Sequence, residues 1–115
     1  MKLSAAVEID TRITFKKARN AKSKHGIDLG NPQAKDQPFL TMFTDPCVLS
    51  NVIWAFYRDE LQEQGVATQD DLDELLDDVD QDDVRAELNK SVGGFFPLVR
   101  TSYTTLKEST TDPDS

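Results

Sequence analysis

Apolar and polar residues alternate almost without a break at the start of the chain. Leu3, Ala5, Val7, Ile9, Thr11, Ile13 and Phe15 fall on one parity, and Lys2, Ser4, Glu8, Asp10, Arg12 and Thr14 on the other, with Ala6 the one apolar exception. Period two predicts a half-buried strand, or two short strands around a turn at Asp10-Thr11, and so a β element over residues 3–13. A strand needs a partner for its backbone donors and acceptors. Within the chain only Phe39-Leu40-Thr41-Met42-Phe43 and Leu98 to Tyr103 offer one, so an internal hairpin or pairing with another chain is expected.

From Thr14 the period changes. Thr14 can cap a helix over residues 14–25, with Gly26 as a left-handed stop and Ile27 packing back. The prolines and polar residues of 31–38 predict a loop. The broadest apolar stripe, Leu49, Val52, Ile53, Phe56, Tyr57 and Leu61 with Trp54 at its edge, predicts a central helix over 46–64. Thr44 or Asp45 would cap it, Pro46 would take its first position and Gly65 would end it. Thr68 with Asp71 resembles a capping box for a helix over 69–78. Asp80 with Asp83 opens another over 81–92, which turns Val84, Leu88 and Val92 inward and stops at Gly93-Gly94. Residues 98–115 are polar and read as a flexible tail after a single small domain of residues 1–97. The expected fold is therefore α+β and mainly α, a short N-terminal β-strand or hairpin packed on about four helices.

Charge divides this picture in two. The 115 residues carry a net −8, but residues 1–25 hold seven basic side chains against two acidic ones, and the other 90 hold six against nineteen. The basic patch is Arg12, Lys16, Lys17, Arg19, Lys22 and Lys24; the acidic face is Asp70, Asp71, Asp73, Glu74, Asp77 and Asp78. Leu72, Leu75, Leu76 and Val79 interrupt the acidic run at helical spacing, which predicts a helix with one wet side. The basic helix is expected to lie against that acidic helix, or to compete for a similar surface elsewhere. The acidic total disfavours nucleic acid as a partner, and a single aromatic, Phe15, in the basic stretch gives no stacking platform for a single strand. No apolar run approaches the ~20 residues that span a bilayer.

Catalytic chemistry finds little purchase. Asp78, Asp80 and Asp82 match three calcium-loop positions, but Asp83 stands where glycine is required and Asn89 where glutamate is. Nine acids on short surface helices lack the walled cleft that shifts a carboxyl pKa for acid–base work. His25, beside lysines at a helix end, reads as a cation placed well for the helix dipole. Cys47, the single cysteine, reads as a small buried apolar residue and excludes both an internal disulfide and a thiolate zinc site. No enzyme, cofactor or metal is expected.

Three segments in order carry a family resemblance. They are Ile9-Asp10-Thr11-Arg12-Ile13-Thr14-Phe15 running into a basic helix closed by His25-Gly26-Ile27-Asp28-Leu29, the apolar helix around Trp54-Ala55, and the acidic Thr68 to Asp77 helix leading to another through Leu88. Over about residues 7–96 the chain resembles the tail assembly chaperones of long-tailed bacteriophages and related prophages. The resemblance implies a non-enzymatic protein of the bacterial host cytoplasm that binds the tape measure protein and helps recruit tail-tube subunits, and that forms homo-oligomers or partner complexes. It also implies a short form whose longer counterpart arises by ribosomal frameshifting. An apolar groove for a helical partner would draw on Trp54, Phe56, Tyr57, Phe95 and Phe96, although for any one of them a place in the core is the more ordinary role. The alternative is a small adaptor or virion connector protein that pairs its N-terminal strand with another chain.

Overall fold

The N-terminal alternation does not make a strand. In the computed structural model, which describes residues 1–29 and 38–96, residues 1–9 fold back on themselves through one isolated antiparallel bridge, Lys2 to Glu8. The Ile9 amide donates to the Met1 carbonyl (2.9 Å), the Met1 ammonium donates to the Ile9 carbonyl (2.7 Å), and the Leu3 amide donates to the Val7 carbonyl (2.9 Å). The Ser4 hydroxyl closes the bend by accepting from the Ala6 and Val7 amides. A reversal this tight leaves room for a single bridged pair. The expected α+β class is thus corrected: among the described residues the fold is helical, without a strand or hairpin. Leu3, Val7, Ile9 and Ile13 are buried as the alternation requires, whereas Ala5 on the same parity is exposed.

Five helices follow among the described residues: α1 (Phe15–His25), the single turn α2 (Pro38–Thr41), α3 (Pro46–Glu63), α4 (Gln69–Asp77) and α5 (Gln81–Phe95). The caps show why each begins where it does. Thr14 Oγ1 accepts from the Lys17 amide, Asp45 from Cys47, Thr68 from Asp71 and Asp80 from Asp82, each relieving an amide that the first helical turn leaves unpaired. At the end of α1, Gly26 takes φ +66° while its own amide and that of Ile27 bond back to the Lys22 and Ala21 carbonyls. The candidate strand at 39–43 falls instead on α2 and the turn after it, where the Met42 amide donates to the Pro38 carbonyl. The candidate strand at Leu98 to Tyr103, residues 31–37 of the expected loop 31–38 and the tail 98–115 lie outside the described residues, and Pro38, expected in that loop, opens α2.

α3 is the centre of the molecule. Its Leu49, Val52, Ile53, Ala55, Phe56, Tyr57 and Leu61 are all buried, and α1, α2 and α4 each pack against it. Ala21 of α1, Leu72 and Leu76 of α4, and Val84, Leu88 and Val92 of α5 complete one core with Leu3, Val7, Ile9 and Ile13. α5 runs past the expected stop at Gly93-Gly94. Gly93 is buried, and Phe95 and Phe96 beyond it pack partly against the core, contacts that outweigh the weak helix propensity of two glycines.

Candidate interaction surface

The five aromatic residues expected to line a groove separate into three places. Phe56 and Tyr57 are core. The Tyr57 hydroxyl donates to the Thr11 carbonyl at 2.7 Å, and the Lys17 ammonium sits 5.1 Å from its ring centre. Burial, and then the nearby Glu60, Asp10 and Glu87 carboxylates, push the phenol well above its ordinary range, so it stays a neutral donor. Trp54 is half-buried beside His25, Ile27, Asn51 and Gln69, where the end of α1 meets the start of α4. Phe95 and Phe96 are half-buried at the end of α5, with ring centres 4.8 Å apart and planes at 73°.

The aromatic residue that strict alternation places inside is the exposed one. Phe15 is 81% exposed, the large apolar side chain left most open among the described residues, and its ring meets the edge of Phe95 at 5.1 Å and 70°. The signal lay in Thr14. Once Thr14 caps a helix, Phe15 is its first residue, and the inward positions become Ala18, Ala21 and His25 at helical spacing. Phe15, Phe95 and Phe96 together make an aromatic surface beside a groove of about 390 Å³ between the 10–13 segment and α5, lined by Arg12, Ile13, Lys90 and Phe95 and by the carboxylates Asp10 and Glu87.

Of the basic patch, Arg12, Lys16, Arg19, Lys22 and Lys24 are exposed. Lys17 differs: it is partly buried, pairs with Glu60 of α3, and donates to the Arg12 carbonyl at 3.1 Å. It fastens α1 to α3 and takes no part in the open surface. Lys22 reaches Asp28 at 3.7 Å. The basic helix and the acidic one both dock on α3, and among the described residues no ion pair joins them.

The acidic face lies open along α4: Asp70, Asp71, Asp73, Glu74, Asp77 and Asp78 are all exposed. Asp73 has a structural duty as well, accepting the hydroxyl of buried Ser50, while the Gln69 amide donates to Ser50 Oγ (3.1 Å) and Asn51 Oδ1 (2.7 Å). Among the described residues no three His, Cys, Asp or Glu side chains are placed to hold a metal ion, and no helix is long and apolar enough to cross a membrane. Cys47 is exposed in the first turn of α3, contrary to the buried position expected of it. His25 stands in the last turn of α1, where partial burial, and then the Arg58 and Lys24 charges, lower its pKa. No protein-family model, curated protein or solved structure matches this chain.

Proposed function

We propose that this protein is a non-enzymatic assembly chaperone of the phage-tail type, which holds the tape measure protein in the host cytoplasm while tail-tube subunits are brought to it. The observation that carries the reading is the open aromatic surface headed by Phe15, 81% exposed in a small domain whose other described large apolar side chains are buried or partly so. An exposed aromatic ring continued by two half-buried ones is an apolar surface that a partner can cover. A tape measure protein is a long helix with apolar stripes that aggregates when bare, so its helper needs an apolar contact and a charged exterior. The aromatic patch supplies the first, and the open carboxylates of α4 supply the second. The order and spacing of the segments over residues 7–96 point the same way.

Co-expression tests the reading. A tape measure protein from a long-tailed phage, insoluble when made alone, should become soluble and copurify with this chain. Equal precipitation with and without it would remove the proposal. The strand-pairing adaptor has no support of this kind, because the Glu8 amide and carbonyl are already bonded to Gln64.

A further inference from the structure

Charge around the aromatic patch says what kind of segment it would hold. Arg12 and Arg19 lie just before and within the first turns of α1 near Phe15, and Lys90 stands across the groove on α5, whereas Lys16 lines the other side of α1 against α3. Arg12, Arg19 and Lys90 are exposed, and none of them pairs with a carboxylate among the described residues. Arg19 follows Phe15 by four residues, so the two share one face of α1. In a chain of net charge −8 this is a local cationic surface with an apolar centre.

We infer that the Phe15–Phe95–Phe96 surface is the docking site for an acidic amphipathic helix, whose apolar stripe lies on the three rings while its flanking carboxylates meet Arg12, Arg19 and Lys90. The inference rests on the chaperone reading and adds to it the place and the chemistry of contact. Repulsion from the rest of the acidic chain would confine such a helix to this face. A nucleic-acid strand fits less well, because Asp10 and Glu87 interrupt the cations of the same groove and a phosphate backbone cannot skip them, whereas a helix can set its carboxylates opposite Arg12, Arg19 and Lys90 and present apolar or neutral side chains to Asp10 and Glu87. A second copy fits less well too. The chain's own acidic helix, α4, spends its apolar stripe in the core through Leu72 (0% exposed) and Leu76 (8%), leaving it only carboxylates to offer.

The test is fluorescence anisotropy on the full chain, with a labelled Leu/Glu amphipathic helical peptide and its Leu/Lys counterpart as probes. The acidic peptide should bind, the basic one at least about tenfold more weakly. Phe15→Ser should cost about tenfold or more, as expected of an aromatic anchor. Arg19→Glu with Lys90→Glu should cost a similar factor, with the circular dichroism unchanged in both variants because all three side chains are solvent-facing or at the patch edge. Equal binding of the two peptides, or undiminished binding by Phe15→Ser, would overturn the inference. So would competition by oligo(dT), or self-association that masks the patch in sedimentation. A Phe15→Ser chain that still solubilises the tape measure protein would overturn the docking site alone. Phe15-dependent peptide binding without a tape measure complex would uphold the site and overturn the chaperone reading.

Discussion

The junction of α3 with α4 and the attachment of residues 1–13 both bury a periodic set of apolar side chains, but they satisfy their backbones in opposite ways. At the α3–α4 junction each helix bonds its own amides and carbonyls, and side chains are free to do the packing; Ser50, Asn51, Gln69 and Asp73 add a polar network at the edge. Residues 1–13 are self-sufficient only in part. Residues 1–9 bond back on themselves, and the backbone that remains is served by side chains far away in sequence: Gln64, the C-cap of α3, accepts from the Glu8 amide (2.8 Å) and donates to the Glu8 carbonyl (2.6 Å), and Tyr57 donates to the Thr11 carbonyl. Ser91 of α5 holds the Thr11 hydroxyl at 2.9 Å. The first region is a cooperative part of the core; the second is a strap fastened at a few named points.

The largest expected effect separates the two directly. Leu72→Ala removes a side chain that is 0% exposed, and should cost about 2–5 kcal/mol of global stability in urea unfolding. Ile9→Ala empties a site of similar burial, 2% exposed. Its cost should be smaller, because the strap can open locally and so caps the penalty at its own free energy of detachment. Equal losses from the two substitutions would mean that residues 1–13 fold as one unit with the helices.

Tyr57→Phe comes next. It keeps the ring in the core but removes the hydroxyl that serves the Thr11 carbonyl, and about 1 kcal/mol should go with it. Amide exchange in residues 1–13 should quicken while the central amides of α3 keep their relative protection. Uniform acceleration across the chain would count against a separately opening strap.

The same contrast explains what could be read from the amino acids. Helices α1, α3 and α4 carry their evidence locally: a cap (Thr14, Asp45, Thr68), a stripe at helical spacing and a terminating glycine or turn are all within reach of one another in sequence. For residues 3–13 the alternation gives the buried parity at Leu3, Val7, Ile9 and Ile13, but strand formation depends on who pairs with the backbone. Gln64 stands 56 residues from Glu8, and nothing local points to it. The aromatic site fails for a nearer reason. Phe15 ends an alternating run and begins a helix, and the helix rule governs its direction. Phe56 and Tyr57 sit on the α3 stripe, whose breadth already marks them as core.

Gln64→Ala should have a smaller effect. The contact with Glu8 is exposed, so water replaces much of what is lost, and about 0.5 kcal/mol is expected. Its value lies in localisation. The Glu8 amide should lose exchange protection by more than any amide of α4, since Gln64 is its direct partner. If Glu8 keeps its protection, the bridge to Lys2 is holding the loop and the strap picture needs a different anchor.

The smallest effect should appear only on the acid side, at the joint between the strap's helix and the core. His25 closes α1, and partial burial together with Arg58 and Lys24 lowers its pKa from the ordinary 6.5. Above that pH the imidazole is neutral in both folded and unfolded chains, so its environment costs nothing. As the pH falls below 6.5 the unfolded chain takes the proton more readily, and stability declines until the pH has passed the lowered folded value. His25→Gln removes the titration. The urea midpoint of the variant should therefore fall less than that of the parent between pH 7.5 and pH 5, with the carboxylates contributing the same background to both. A parent that loses no more than the variant over this range would show that His25 is solvated as freely in the fold as outside it, and that α1 meets α3 more loosely at this end than at the Lys17–Glu60 pair.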